Sequence, residues 1–172
     1  MHINHKFLNS ILNSLEETVR EASDAIMEVY KKDSYEQEIK TDGSPVTEAD
    51  NKANEIIIKS LQKITPNIPI VSEETFNKES ENPQGPYWLV DPLDGTREFI
   101  NKSNDFTVNI ALIENSMPIF GIVGAPVTGK IWSGSFFQRP VRRYRLGALF
   151  FFMGPFALIP WFIQARSYGP FS

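Results

Sequence analysis

Carboxylates dominate the chemistry that this chain can do. The densest arrangement is Trp88-Leu89-Val90-Asp91-Pro92-Leu93-Asp94-Gly95-Thr96. An apolar run delivers Asp91 to the end of a strand, Pro92 forbids further ladder pairing, and Asp94-Gly95 is a tight-turn signal. The turn brings two carboxylates, three residues apart, and the Leu93 carbonyl toward one point. Hard cations such as Mg²⁺ take oxygen ligands of this kind, usually a few carboxylates together with waters and a substrate phosphate. Thr96 adds a hydroxyl able to orient a water. An isolated Asp-x-x-Asp-Gly is more often a strand cap and a turn, but the full nine-residue string is far more specific.

Two further acidic segments are candidates. Ser72-Glu73-Glu74 follows the apolar run Ile68 to Val71. Adjacent strands of one sheet would set Glu73 or Glu74 beside Asp91; alone, the pair reads as a solvated acidic loop. Asp42-Gly43-Ser44-Pro45-Val46-Thr47-Glu48-Ala49-Asp50 ends in Thr-Glu-Ala-Asp, which resembles a capping box with Asp50 as its fourth member. The alternative for Asp50 is a base that, with Thr96, takes a proton from a metal-held water. His2 and His5 have ligand-like spacing but belong to a terminus expected to fray.

These groups need elements to position them. Leu8, Ile11, Leu12, Leu15, Val19, Ala22, Ile26 and Val29 recur at three- and four-residue steps, which predicts an amphipathic helix from Lys6 to about Lys32. A polar stretch from Asp33 to Ser44 follows. The capping box opens a second helix with Ala53, Ile56, Ile57, Leu61 and Ile64 on one face, stopped by Pro66. Ile68 to Val71 reads as a short strand, Ser72 to Gly85 as a loop, and Tyr87 to Val90, apolar on both faces, as a strand inside a sheet. Phe106 to Leu112 alternates, and Ile119 to Val123 pairs with it across the turn Glu114-Asn115-Ser116. Thr128-Gly129-Lys130 is a turn before Ile131-Trp132. Helices followed by strands predict an α+β layered fold. No internal repeat and no Gly-rich phosphate loop is present.

Composition narrows the classes. The 172 residues carry 17 basic and 21 acidic side chains, a net charge of −4, which argues against a general nucleic-acid binder. Without cysteine, disulfides, thiolate catalysis and cysteine-ligated metals are excluded. MHINHKFLNS has no apolar signal core, so a cytoplasmic location is expected.

The segments Asp42 to Asp50, Ser72-Glu73-Glu74 and Trp88 to Phe99 occur together and in order. This resembles the inositol monophosphatase-like family of Mg²⁺-dependent, lithium-sensitive phosphatases, over roughly Leu15 to Gly134. Asp94-Gly95-Thr96-Arg97-Glu98-Phe99-Ile100, followed by Asp105 to Ile113, is most similar to its 3′(2′),5′-bisphosphate nucleotidase branch. Inositol phosphatases usually have Asn-Phe after the Gly-Thr. The resemblance implies the N-terminal domain of a layered αβαβα fold, with two helices on a mainly antiparallel sheet. It implies that Glu73, Asp91 and the Leu93 carbonyl hold a first Mg²⁺, that Asp91 and Asp94 share a second, and that Asp50 and Thr96 activate the attacking water. Glu73, Leu93, Asp94, Gly95 and Thr96 would face the substrate, with the backbone of Gly95 and Thr96 receiving its phosphate. The implied reaction is hydrolysis of adenosine 3′,5′-bisphosphate to AMP and phosphate, with a link to sulfate assimilation. Inositol or sugar monophosphate hydrolysis is the alternative within the family. A non-catalytic metal- or phosphate-binding module, tethered to a membrane or free, is the alternative outside it.

A Trp-Asp-x-Ala-Ala-Gly segment, which in this family completes the second metal site, does not occur in the sequence. Little or no turnover by this chain is therefore expected. The charge pattern also breaks near Gly134: the balance is −9 up to that residue and +5 over the last 38, which hold no Asp, Glu, Lys or Asn and eight of the thirteen Phe. Residues 1–134 read as the phosphatase-like domain, and 135–172 as an atypical Arg/Phe-rich tail. A shifted reading frame or misjoined end explains the tail's composition best. A membrane anchor over 146–165, behind Arg139, Arg142, Arg143 and Arg145, is weakened by Pro155 and Pro160. A divergent segment packed over the sheet is the third reading.

Overall fold

The computed structural model describes residues 3–32, 34, 36–39, 45–75 and 83–136. Helix α1 spans His5–Tyr30 and α2 spans Glu48–Ile64. Each sets its apolar stripe on the same face of a five-stranded sheet. The strands are β3 (Ile70–Ser72), β4 (Tyr87–Asp94), β5 (Thr107–Glu114), β6 (Met117–Ala125) and β7 (Lys130–Ser135), in that spatial order. β3 pairs with β4 in parallel and every other pair is antiparallel. This matches the expected helix pair on a mainly antiparallel sheet.

Leu15, Val19, Ala22, Ile26 and Val29 of α1, and Ala53, Ile57 and Leu61 of α2, bury completely against Trp88, Val108, Leu112 and Ile122. Trp88 brings a polar atom into this core and satisfies it: its indole N–H donates to Thr65 Oγ1 at 2.8 Å. Gly124 lets α1 approach β6, because a Cβ there would collide with Val19 Cγ1. On the opposite face Leu89, Ala111, Val123 and Trp132 are only half-buried. The Asn115-Ser116 turn has positive φ at both residues (50° and 60°), the handedness that suits a two-residue hairpin.

Two readings change in the structure. Residues Gln37–Ile39 and Pro45–Thr47, within and just after the polar stretch to which the sequence assigns no element, form two short antiparallel strands, β1 and β2. Their pairing is brief enough to leave no periodic signal. Strand β4 does not end at Asp91-Pro92 but continues to Asp94. Asp91 pairs with Asn109 and Asp94 with Thr107, so β4 carries an extra residue in a bulge that accommodates Pro92. β7 runs one residue past the charge break, to Ser135, and the Phe136 N–H then donates to the Ile119 carbonyl at 2.9 Å. No helix among the described residues is long and apolar enough to cross a membrane. Residues 146–165, like Asp42 to Ser44, lie outside the described residues.

Candidate active site

The start of α2 and the end of β4 converge. Asp50 is 1% exposed and uses each carboxylate oxygen differently. Oδ2 closes the capping box, accepting from the Thr47 backbone N–H at 2.8 Å and from Thr47 Oγ1 at 2.6 Å. Oδ1 accepts from Thr96 Oγ1 at 3.1 Å. The capping reading of Asp50 is met through Oδ2, while Oδ1 is bonded to Thr96 alone. Thr47, read in the sequence only as a cap, is the residue that frees Oδ1 by occupying Oδ2. Burial pushes the Asp50 carboxyl above its ordinary value, against the pull of the hydrogen bonds from Thr47 and Thr96. Thr96 Oγ1 also lies 3.1 Å from the Leu93 carbonyl, so its single proton can turn to either acceptor.

Parallel pairing of β3 with β4 opposes Ser72 to Val90, which sets Glu73 beside Asp91 as the two acidic motifs require. Glu73 opens a short 3₁₀ turn, Glu73–Thr75, and shares a side-chain hydrogen bond with Asp91. Ser72 Oγ donates to Asn54 Oδ1 at 2.6 Å, and both residues are buried. Asn54 lies one turn beyond Asp50, so α2 anchors Thr96 through one side chain and the Glu73 turn through the other. Nothing in the sequence pattern singled out this Asn54–Ser72 pair.

Asp91 Oδ1 is buried without a hydrogen-bond partner. Burial, then the charges of Glu73 and Asp94, drive the Asp91 carboxyl well above the ordinary range. Asp94 accepts from Asn109 Nδ2 at 3.1 Å. Its carboxyl is pushed up to about 6, chiefly by burial; the Asn109 bond opposes this, while Glu73 and Glu98 add to it.

Gly95 makes the turn possible. Its φ is +94°, and a Cβ there would stand 2.8 Å from the Asp105 carbonyl oxygen. Helix α3 (Thr96–Ile100) begins immediately after it. Phe99 of this helix packs against Tyr30 and Phe106 with ring centroids 5.3 and 5.4 Å away. The end of α1 thus braces the loop that carries Thr96. Arg97 and Glu98 are exposed.

Among the described residues, no group of three or more His, Asp or Glu is placed so that it could hold a metal ion. The donor chemistry nevertheless fits a hard divalent cation. Every candidate donor is oxygen, one buried carboxylate oxygen lacks a partner, and the nearby charges of Glu73 and Asp94 raise the proton affinity of Asp91, as Glu73 raises that of Asp94.

The Inositol monophosphatase family model matches residues 8–140. The chain is 46% identical over 132 residues to the 3′(2′),5′-bisphosphate nucleotidase CysQ of Salmonella typhimurium, covering 71% of this chain and 54% of that protein. It is 40% identical over 140 residues to the CysQ of Buchnera aphidicola, covering 80% and 52%. The crystal structure of CysQ from Bacteroides thetaiotaomicron superposes with a TM-score of 0.56 at 29% identity, covering 80% of this chain and 55% of that one. The chain thus spans about half the length of the curated relatives it matches. With the Asp-Pro-Leu-Asp-Gly-Thr loop, the paired acids and the family match all falling on the same residues, this chain belongs to the inositol monophosphatase family.

Proposed function

We propose that this chain carries the water-activating and cation-binding acids of a Mg²⁺-dependent phosphate monoester hydrolase of the 3′(2′),5′-bisphosphate nucleotidase type. The substrate would be adenosine 3′,5′-bisphosphate and the products AMP and phosphate. The carrying observation is the Thr96–Asp50 hydrogen bond, with the second Asp50 oxygen held by Thr47. The names of the similar proteins and the Arg97-Glu98-Phe99 segment support a nucleotide rather than an inositol substrate.

Glu73, Asp91 and the Leu93 carbonyl would hold one Mg²⁺, and Asp91 with Asp94 a second. Bound Mg²⁺ would offset the negative charge of the phosphate and of these acids. The protein's own part is proton transfer. Thr96 gives its hydrogen to Asp50 Oδ1 and turns its lone pairs toward a water. The water proton moves to Thr96 Oγ1 as the Thr96 proton passes to Asp50. The water oxygen bonds to phosphorus and the ester P–O bond breaks, its leaving oxygen taking a proton from solvent. Burial, which raises the proton affinity of Asp50, makes it the better base. Gly95 and Thr96 would offer backbone N–H groups to the phosphate.

The test is calorimetric titration of the chain with adenosine 3′,5′-bisphosphate at saturating Mg²⁺, paired with a phosphate-release assay. Mg²⁺-dependent binding that Asp91→Asn removes is expected, with turnover low because no Trp-Asp-x-Ala-Ala-Gly segment is present. Absence of any Mg²⁺-dependent binding would sink the reading.

A further inference from the structure

We propose that Asn109 is a positioning residue of the carboxylate site: its amide sets the orientation of Asp94 and so the affinity for a hard divalent cation. The inference rests on the cation-binding reading above.

Asn109 is the one amide in the apolar run Val108 to Ile113, and it is 5% exposed. It pairs with Asp91 across β4 and with Val123 across β6, so the three share one row of one face. The bulge after Asp91 brings Asp94 opposite Thr107, two residues from Asn109 on that same face. Diagonal neighbours at this spacing can touch, and Asn109 Nδ2 donates to Asp94 Oδ2 at 3.1 Å. The opposite amide orientation would place oxygen against a carboxylate, acceptor on acceptor, so Asp94 selects the observed one.

That choice leaves Asn109 Oδ1 buried and unpartnered. Its row neighbours do not serve it: Val123 has no polar side-chain atom, and Asp91 Oδ1 makes no hydrogen bond. A buried amide that served only packing would be replaceable by an apolar residue with gain, since unmet polar atoms are penalised. Two unpartnered oxygens on residues paired across the strands call for the O–H groups of a water held at the site. Asn109 then grips Asp94 with one end and that water with the other. Groups that orient metal-binding carboxylates in this way typically change metal affinity about 10–100-fold when removed.

The experiment titrates Mn²⁺ calorimetrically into the wild-type chain, Asn109→Ala, Asn109→Thr and Asp94→Asn, and melts each in EDTA. Threonine suits a strand but is too short to reach Asp94, so it guards against failure of the alanine variant to fold. A loss of about 10–100-fold in Mn²⁺ affinity for both Asn109 variants, approaching that of Asp94→Asn, with the EDTA melt of Asn109→Thr near wild type, is expected. Wild-type affinity in the Asn109 variants, while Asp94→Asn weakens binding, overturns the proposal and leaves the cation site standing. Absence of wild-type Mn²⁺ binding sensitive to Asp94→Asn removes the cation-site reading and this inference with it.

Discussion

Asp50 should separate folding from chemistry when it is changed in two ways. In Asp50→Ala, the buried Thr47 N–H loses the acceptor 2.8 Å away. An orphaned buried donor costs about 1–3 kcal/mol. The Thr96 hydroxyl loses nothing, because it can turn to the Leu93 carbonyl at 3.1 Å. Removing a buried carboxylate also returns part of its desolvation penalty, so a net loss of about 1–2 kcal/mol is expected. In Asp50→Asn, the amide oxygen still accepts from both Thr47 groups, and the NH₂ faces Thr96, whose hydroxyl can accept. The stability change should then stay below about 1 kcal/mol. Urea unfolding with matched m-values measures both. The low residual phosphate release of the wild-type chain should fall to background in each, since a general base contributes about 10²–10⁴-fold. Equal destabilisation by the two variants would refute the division of labour between the oxygens. Residual turnover by Asp50→Asn equal to that of wild type would refute the assignment of Asp50 as base.

Three other outcomes follow from the geometry. Gly95→Ala places a side chain at φ +94° and against the Asp105 carbonyl, and should lower stability by more than about 1–2 kcal/mol in thermal or urea melts. Gly124→Ala drives a methyl into Val19 and should cost about 1–3 kcal/mol without changing cation affinity. In EDTA, the contribution of Asp91 and Asp94 to stability should fall as pH rises. Both are raised in the folded state, Asp94 to about 6 from 3.8, so the folded chain binds the extra protons. The contribution is fully present below about pH 4 and is lost for Asp94 as pH passes 6. Asp94→Asn should flatten that slope in pH-dependent denaturation.

Much of the scaffold was legible because its signals are periodic. The stripe Leu15–Val19–Ala22–Ile26 and the alternation Val108–Ile110–Leu112 each mark a face that must be buried. The site was legible where spacing and topology coincide: Glu73 and Asp91 meet because each follows its strand, and the strands pair in parallel. What stayed hidden depends on register. β1 and β2 hold three residues each, too few for a period. The extension of β4 past Pro92 is a bulge, which shows only in the pairing of Asp94 with Thr107. Asn109 reads as one outward polar position of an alternating strand until the partner strand puts Asp91 opposite it. A lone Asn in an otherwise apolar strand was the available signal.

Anomalous diffraction from crystals of the chain grown with saturating Mn²⁺ tests the central claim most directly. A peak within bonding distance of the Asp91 carboxylate, the Glu73 carboxylate and the Leu93 carbonyl is predicted. Fully occupied Mn²⁺ elsewhere, with these oxygens bare, would contradict it.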